Sequence, residues 1–223
     1  MIESRRIGGK GSKGTVIFDL DGTLHHTEKA LVPAIRSAMA DLGFTPAMPE
    51  VINALYGEPL EIFCRTLTGD AGLVKEFRSA LRKHQAGTIP RQGALYPGTK
   101  KMLEELTAAG FVPAICSNAG TDYIRLVTET LGIARFFPVI AGRDGNISKT
   151  GRVGRIIRDT RAESAVMVGD RYHDFQAAKE NGIPSIGCLY GYGSSEELTA
   201  ADALVENPGE IPRTVITLLG ITR

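Results

Sequence analysis

From Gly14 onward the chain alternates short apolar runs with longer stretches in which apolar residues return every three or four positions. The runs are Thr15-Val16-Ile17-Phe18, Phe111 to Cys116, Pro138 to Ala141, Ala165-Val166-Met167-Val168 and Ser185-Ile186-Gly187-Cys188-Leu189, with Ala203-Leu204-Val205 a weaker sixth. A strand with one face in water would alternate polar and apolar residues. These do not, so each predicts a strand buried on both faces, as in a parallel sheet covered by helices. The stretches between them predict helices with clear stops: Thr99 to Ala109 ends at Gly110, and Asp174 to Asn181 ends at Gly182. This alternation predicts a doubly wound α/β core.

One stretch departs from the pattern. Between Glu28 and about Gly93 no run reads as a strand, whereas Leu31, Ile35, Ala38, Met39 and Leu42 recur at helical spacing. Leu55, Leu60, Ile62, Phe63 and Leu67 follow it loosely, as do Leu73, Val74, Phe77, Ala80 and Leu81. An all-helical insertion over 28–93 is expected, entered near Thr27 and left near Gln92-Gly93-Ala94, with the α/β core made of 14–27 and 94–223. Residues 1–13 carry Arg5, Arg6, Lys10 and Lys13 among glycines and read as a flexible basic tail. Gly9, Gly11 and Gly14 spell G-x-G-x-x-G, but a strand follows these glycines rather than preceding them, the wrong order for a dinucleotide loop. No apolar segment follows the basic residues, so the tail does not read as a secretory signal.

Composition narrows the function classes. The 223 residues include 26 basic and 25 acidic ones, a net charge of +1, which gives no overall field for coating nucleic acid or an acidic membrane. Apolar residues make up 43%, enough for a packed core, and no run is long enough to span a bilayer. Three cysteines, Cys64, Cys116 and Cys188, form no CxxC pair; a cytoplasmic, reducing setting is expected, without a disulfide framework.

The chemistry gathers where strands end. The first predicted strand runs into Asp19-Leu20-Asp21-Gly22-Thr23-Leu24, the second ends in Ser117-Asn118, Lys149 follows the third, and the fourth ends in Gly169-Asp170-Arg171-Tyr172-His173-Asp174. In open α/β sheets ligands bind outside the carboxyl ends of the strands. Asp19 and Asp21 on an extended chain would point to one face, with Gly22 free to re-aim the second. Adjacent carboxylates repel and favour a bound cation or a raised pKa, although Asp and Gly after a strand also make an ordinary turn. Hard oxygens suit magnesium, and a lysine with a hydroxyl suits a phosphoryl group. Together they point to phosphoryl transfer.

These four motifs, DxDGT, Ser117, Lys149 and GDxxxD, in this order, resemble the haloacid dehalogenase superfamily over nearly the whole chain after Gly14. Tyr56-Gly57-Glu58-Pro59-Leu60, Tyr96-Pro97-Gly98 and Gly191-Tyr192-Gly193-Ser194 are similar to its phosphoglycolate phosphatase-like branch. The resemblance implies a five-stranded Rossmann-like parallel core with a mobile helical cap. It implies that Asp19 is the nucleophile forming an aspartyl-phosphate, and that Asp21 is general acid and then base. Magnesium would be held by Asp19, the Asp21 carbonyl and Asp170, with Asp174 behind it. Ser117, the Asn118 backbone and Lys149 would grip the phosphoryl oxygens. Asp21 favours phosphate chemistry over dehalogenation. The expected function is a magnesium-dependent phosphatase for a small phosphorylated metabolite, with phosphoglycolate, a nucleotide, a sugar phosphate or pyrophosphate as candidates. A phosphomutase and a non-catalytic phosphate-binding protein are the alternatives; a nucleotide-sugar transferase using Asp19-Leu20-Asp21 would leave the later motifs unexplained. Nucleic acid and membrane are not expected partners, and no oligomeric state is indicated.

Other residues carry two readings. His25 and His26 are either a solvated linker pair or part of the substrate contact and hinge; many relatives have an aspartate near His26. His173 reads as a rim residue, His84 as exposed, Cys116 as core packing, and Arg65, Arg78 and Arg82 as solvated helix faces. Thr150-Gly151 follows Lys149 where relatives often have proline.

Overall fold

The computed structural model describes residues 12–143, 145–161 and 163–221. The tail expected over 1–13 lies outside them except for Ser12 and Lys13, and Lys13 N–H donates to the Gly110 carbonyl at 3.0 Å. The G-x-G-x-x-G reading of Gly9 and Gly11 also lies outside the described residues.

All strands run parallel, in the order β3-β2-β1-β4-β5-β6. They are β1 (Gly14–Phe18), β2 (Phe111–Cys116), β3 (Val139–Ala141), β4 (Ala165–Gly169), β5 (Ser185–Cys188) and β6 (Ala203–Val205). The sheet is therefore six-stranded, not five-stranded. Ala203–Val205 pairs with Ile186–Cys188 along its whole length. Its signal is weak because it is an edge strand, with only Val205 buried.

Consecutive side chains on the central strands enter opposite cores, as the twofold period of a strand requires. Val16, Phe18, Val166 and Val168 face one core, and Ile17, Ala165 and Met167 the other. Both faces are dry, which explains the unbroken apolar runs.

Between β1 and β2 lie only helices and turns: α1 (Glu28–Asp41), α2 (Pro49–Asn53), α3 (Leu60–Thr68) and α4 (Val74–Gln92), followed by α5 (Thr99–Ala108). Leu31, Ile35 and Met39 of α1 are buried with Phe77 and Leu81 of α4. Each such side chain contributes about 1.5–3 kcal/mol of burial. The two chain crossings that join these helices to the sheet are tied together: His26 N–H donates to the Ala94 carbonyl at 2.8 Å and Tyr96 N–H to the Leu24 carbonyl at 3.1 Å.

The remaining helices are α6 (Thr121–Thr130), α7 (Lys149–Thr160), α8 (Tyr172–Glu180), α9 (Ser195–Leu198) and α10 (Ile211–Leu218). No helix among the described residues is long and apolar enough to cross a membrane. The three cysteines are free and buried.

Candidate active site

The sheet order changes direction at β1, which has β2 on one side and β4 on the other. Register pairs Phe18 with both Ile115 and Val168. Residues just past these three positions therefore emerge together, which brings Asp19, Ser117 and Asp170 to one end of the sheet. Asp19 lies beyond the strand proper, but its N–H continues the ladder to the Val168 carbonyl at 2.9 Å.

Lys149 joins them because of a helix cap. The Ser148 side chain accepts from Gly151 N–H at 3.2 Å, fixing the start of α7 and placing Lys149 in its first turn. Its Nζ lies 2.5 Å from Asp19 Oδ1 and 2.6 Å from Asp174 Oδ1, with all three side chains buried. Asp174 also caps α8, its Oδ2 accepting from Arg171 N–H at 3.1 Å. Gly169 makes room: a Cβ there would sit 2.1 Å from Asp174 Cγ. Asp170, fully buried, accepts from Thr23 Oγ1 at 3.2 Å and from Tyr192 N–H at 2.8 Å.

Two buried carboxylates, those of Asp19 and Asp174, thus contact one ammonium, and the buried Asp170 carboxylate lies near enough to feel its charge. Burial pulls the Lys149 pKa down, but Asp174 and Asp19 more than reverse this, so the amine stays charged. Burial pushes Asp19 well up; Lys149 opposes it, and Asp174 and Asp170 add to it. Burial, then Asp174, pushes Asp170 up to about 7. A site in which carboxylates hold protons at such a pH lacks positive charge.

The residues fit a hard divalent cation on that count. Asp170 is clasped by a turn that only glycine permits: Gly22 has φ +84°, and a Cβ on it would lie 2.2 Å from Asp170 Oδ2. The oxygen donors at hand are the carboxylates of Asp19 and Asp170 and the main-chain carbonyl of Asp21. Among the described residues no group of three or more His, Cys, Asp and Glu side chains forms a metal cluster. A cation here would depend on main-chain oxygen and water as well as the two carboxylates, which suits magnesium.

Asp21 stands on the other side of Gly22. Its Oδ1 meets Tyr123 Oη at 2.7 Å, Thr27 Oγ1 at 2.9 Å and His25 Nδ1 at 3.1 Å. His25 is fully buried, which removes the solvated-linker reading for it. His26 stacks on Tyr96, ring centroids 4.9 Å apart, and pairs with Glu28 at 3.0 Å. His84 is half-buried against Asp41 at 2.9 Å rather than exposed. His173 lies at the rim, Cys116 is packed in the core, and Arg65, Arg78 and Arg82 are exposed.

Ser117 is buried, its Oγ accepting from Ala119 N–H at 3.2 Å. The Asn118 side chain is committed elsewhere: Nδ2 donates to the Gly57 carbonyl at 3.0 Å and Oδ1 accepts from Arg152 at 2.7 Å. Its main-chain N–H is the group left for a ligand. Arg152, buried and also donating to the Ser117 carbonyl at 3.2 Å, is a supporting residue that spacing did not reveal. Nor did spacing reveal Arg171 as a clasp between the helical insertion and the sheet. It donates to the Tyr56 carbonyl and pairs with Glu58 at 3.4 Å and Glu197 at 2.9 Å. Its position inside GDxxxD was the available signal; its partners are more than a hundred residues away on one side.

Comparison with known proteins identifies the family. The family model of the haloacid dehalogenase-like hydrolases matches residues 16–188. Phosphoglycolate phosphatase of Colwellia psychrerythraea is 30% identical over 200 residues, 83% of this chain and 88% of that protein. A 5'-nucleotidase of Pseudomonas aeruginosa is 28% identical, over 83% of this chain and 86% of its own. Among solved structures, a predicted phosphatase from Clostridium acetobutylicum superposes with a TM-score of 0.82 at 25% identity, covering 93% of this chain and 100% of its own. The match to the family model extends over most of the chain and takes in the ends of β1 to β4, so the protein belongs to the haloacid dehalogenase-like hydrolases, as an enzyme of their phosphatase branch.

Proposed function

We propose that the protein is a magnesium-dependent phosphatase that hydrolyses a small phosphate monoester through a phosphoryl group carried on Asp19. The observation that supports this best is the buried Lys149 between the Asp19 and Asp174 carboxylates, with the buried Asp170 beside them, at the ends of β1 and β4. Asp19 attacks phosphorus in line, and Asp21 protonates the departing oxygen. Asp21 then takes a proton from the water that releases phosphate. Lys149, the Ser117 hydroxyl and the Asn118 N–H hold the phosphoryl oxygens and offset the charge that develops there. Magnesium would be held by Asp19, Asp170 and the Asp21 carbonyl, supplying positive charge next to the transferring group. Asp174 keeps Lys149 aligned from behind.

The helices over 28–93 act as a cap. In this arrangement the Tyr56-Gly57-Glu58 loop is clasped to the sheet by Arg171 and Asn118, and Asp19 is only 5% exposed. Entry of substrate then requires the cap to lift about the paired crossings near Thr27 and Gly93, and closure excludes water from the transfer step. The substrate class is that of the relatives: a compact alkyl phosphate such as phosphoglycolate, or a nucleoside monophosphate.

Phosphate release is to be measured on a panel of phosphoglycolate, nucleoside monophosphates, sugar phosphates and pyrophosphate, with magnesium and with EDTA. The expected result is magnesium-dependent release with one favoured ester, abolished in Asp19→Asn. Release by Asp19→Asn at the wild-type rate would remove the nucleophile. Sugar-phosphate isomerisation without release would make the protein a mutase.

A further inference from the structure

Three groups converge on a single oxygen of Asp21. Tyr123, Thr27 and His25 all meet Oδ1, and none of the three meets Oδ2. Thr27 and His25 are fully buried, while the Asp21 side chain keeps 12% exposure. Tyr123 comes from α6, which follows directly on the Ser117 loop. The carboxyl group is thus tied both to its own turn and to the loop that carries the phosphoryl-binding hydroxyl.

Each of the three can donate. The Tyr123 phenol donates its proton to Asp21 Oδ1 at 2.7 Å. The Thr27 hydroxyl has one proton, offered to Asp21 Oδ1 at 2.9 Å or to the His25 carbonyl at 3.0 Å. His25 Nε2 is buried with no partner. An imidazole protonated on Nδ1 donates to Asp21 and leaves only a lone pair unmatched. The other tautomer would set lone pair against carboxylate and bury an unpaired N–H as well.

Hydrogen bonds donated to Oδ1 occupy its lone pairs, so a proton carried by Asp21 sits on Oδ2. We propose that Tyr123, backed by His25 and Thr27, is a positioning residue for proton transfer, fixing the Asp21 carboxyl so that Oδ2 delivers the proton to the leaving oxygen. The inference rests on the phosphatase reading above. As the Asp19–phosphorus bond forms, the bond from phosphorus to the leaving oxygen breaks, its electron pair stays on that oxygen, and the Oδ2 proton moves there. In the second step the oxygen of water bonds to phosphorus, the Asp19–phosphorus bond breaks, and a proton from that water returns to Oδ2.

The test exploits leaving groups. An alkoxide needs that proton, whereas p-nitrophenolate leaves without it. General acid catalysis is worth about 10²–10⁴-fold, so losing one of three positioning contacts is expected to cost about tenfold or more where the proton matters. kcat/KM, which reports the first transfer step, is measured for the best alkyl phosphate of the panel and for p-nitrophenyl phosphate. In Tyr123→Phe the ratio of the alkyl to the aryl value falls about tenfold or more. Thr27→Val moves the same ratio in the same direction, and carries the test alone if Tyr123→Phe does not fold. A ratio unchanged within about twofold in the folded variants, both substrates losing equally, overturns the positioning role. Failure of the wild type to release phosphate from any ester overturns the functional reading itself, and the inference with it.

Discussion

Asp170→Asn is expected to make the metal-free protein more stable while abolishing activity. Asp170 is fully buried and faces Asp174, and its carboxyl holds a proton up to about 7 rather than the ordinary 3.8. Between those values the folded state binds more protons than the unfolded chain, so stability falls as pH rises through the window and stays low above it. At about 1.4 kcal/mol per unit, this single group accounts for an upper bound of roughly 4 kcal/mol. Asn removes the charge and keeps the contacts. Its carbonyl can accept from Tyr192 N–H, and its amide can donate to Thr23 Oγ1, which turns from donor to acceptor. Coupling to Asp19 and Asp174 reduces the gain, to about 1–3 kcal/mol. Thermal melts in EDTA at pH 8 should show a higher Tm for Asp170→Asn by about 3–10 °C, with a gap roughly half as large or less at pH 5, where the folded side chain is neutral but the unfolded one is already mostly ionised. Magnesium should then raise the wild-type Tm and leave the variant unmoved. A variant less stable than wild type at pH 8 in EDTA, or a gap equal at both pH values, would refute the electrostatic argument.

EDTA should abolish phosphate release in the wild type, with recovery on excess magnesium and none on sodium; activity that survives chelation would argue against the cation. Gly169→Ala should lower stability by about 1–3 kcal/mol, because its Cβ would stand 2.1 Å from Asp174 Cγ and drive that side chain off Lys149 and the α8 cap; a melt within about 1 °C of wild type would contradict this. Glu58→Gln and Arg171→Leu should each raise KM by loosening the clasped loop, and the double variant should do little more than either alone, with a coupling near 1 kcal/mol for this largely buried pair. Strict additivity in KM would mean that the pair does not hold the loop.

Much of the candidate site was legible because the residues proposed to carry the chemistry sit at the ends of apolar runs. Asp19, Ser117, Lys149 and Asp170 could each be placed just past a run whose strand character was plain from its lack of alternation. The helical insertion was legible from the spacing of Leu31, Ile35 and Met39, which face α4. Ala203–Val205 was the hard strand, since three residues with one buried side chain carry little pattern. Nothing local distinguishes Tyr123, one aromatic residue in the first turn of an amphipathic helix, or Arg152, one basic residue among several in α7. His25 read equally well as linker or site.

The sequence by itself determined the α/β alternation, the place of the helical insertion and the order in which the reactive groups arrive at the strand ends, because burial on two faces and helical periodicity are written in neighbouring residues. Only the tertiary structure decided which partner each group meets. The β1 switch point sets Lys149 between Asp19 and Asp174, and turns three hydroxyl and imidazole groups onto one oxygen of Asp21. It also clasps Glu58 to Arg171 across 113 positions of chain. Such contacts depend on strand register and on where helices cross the sheet, and their strength comes from shared burial, which no single stretch of sequence contains.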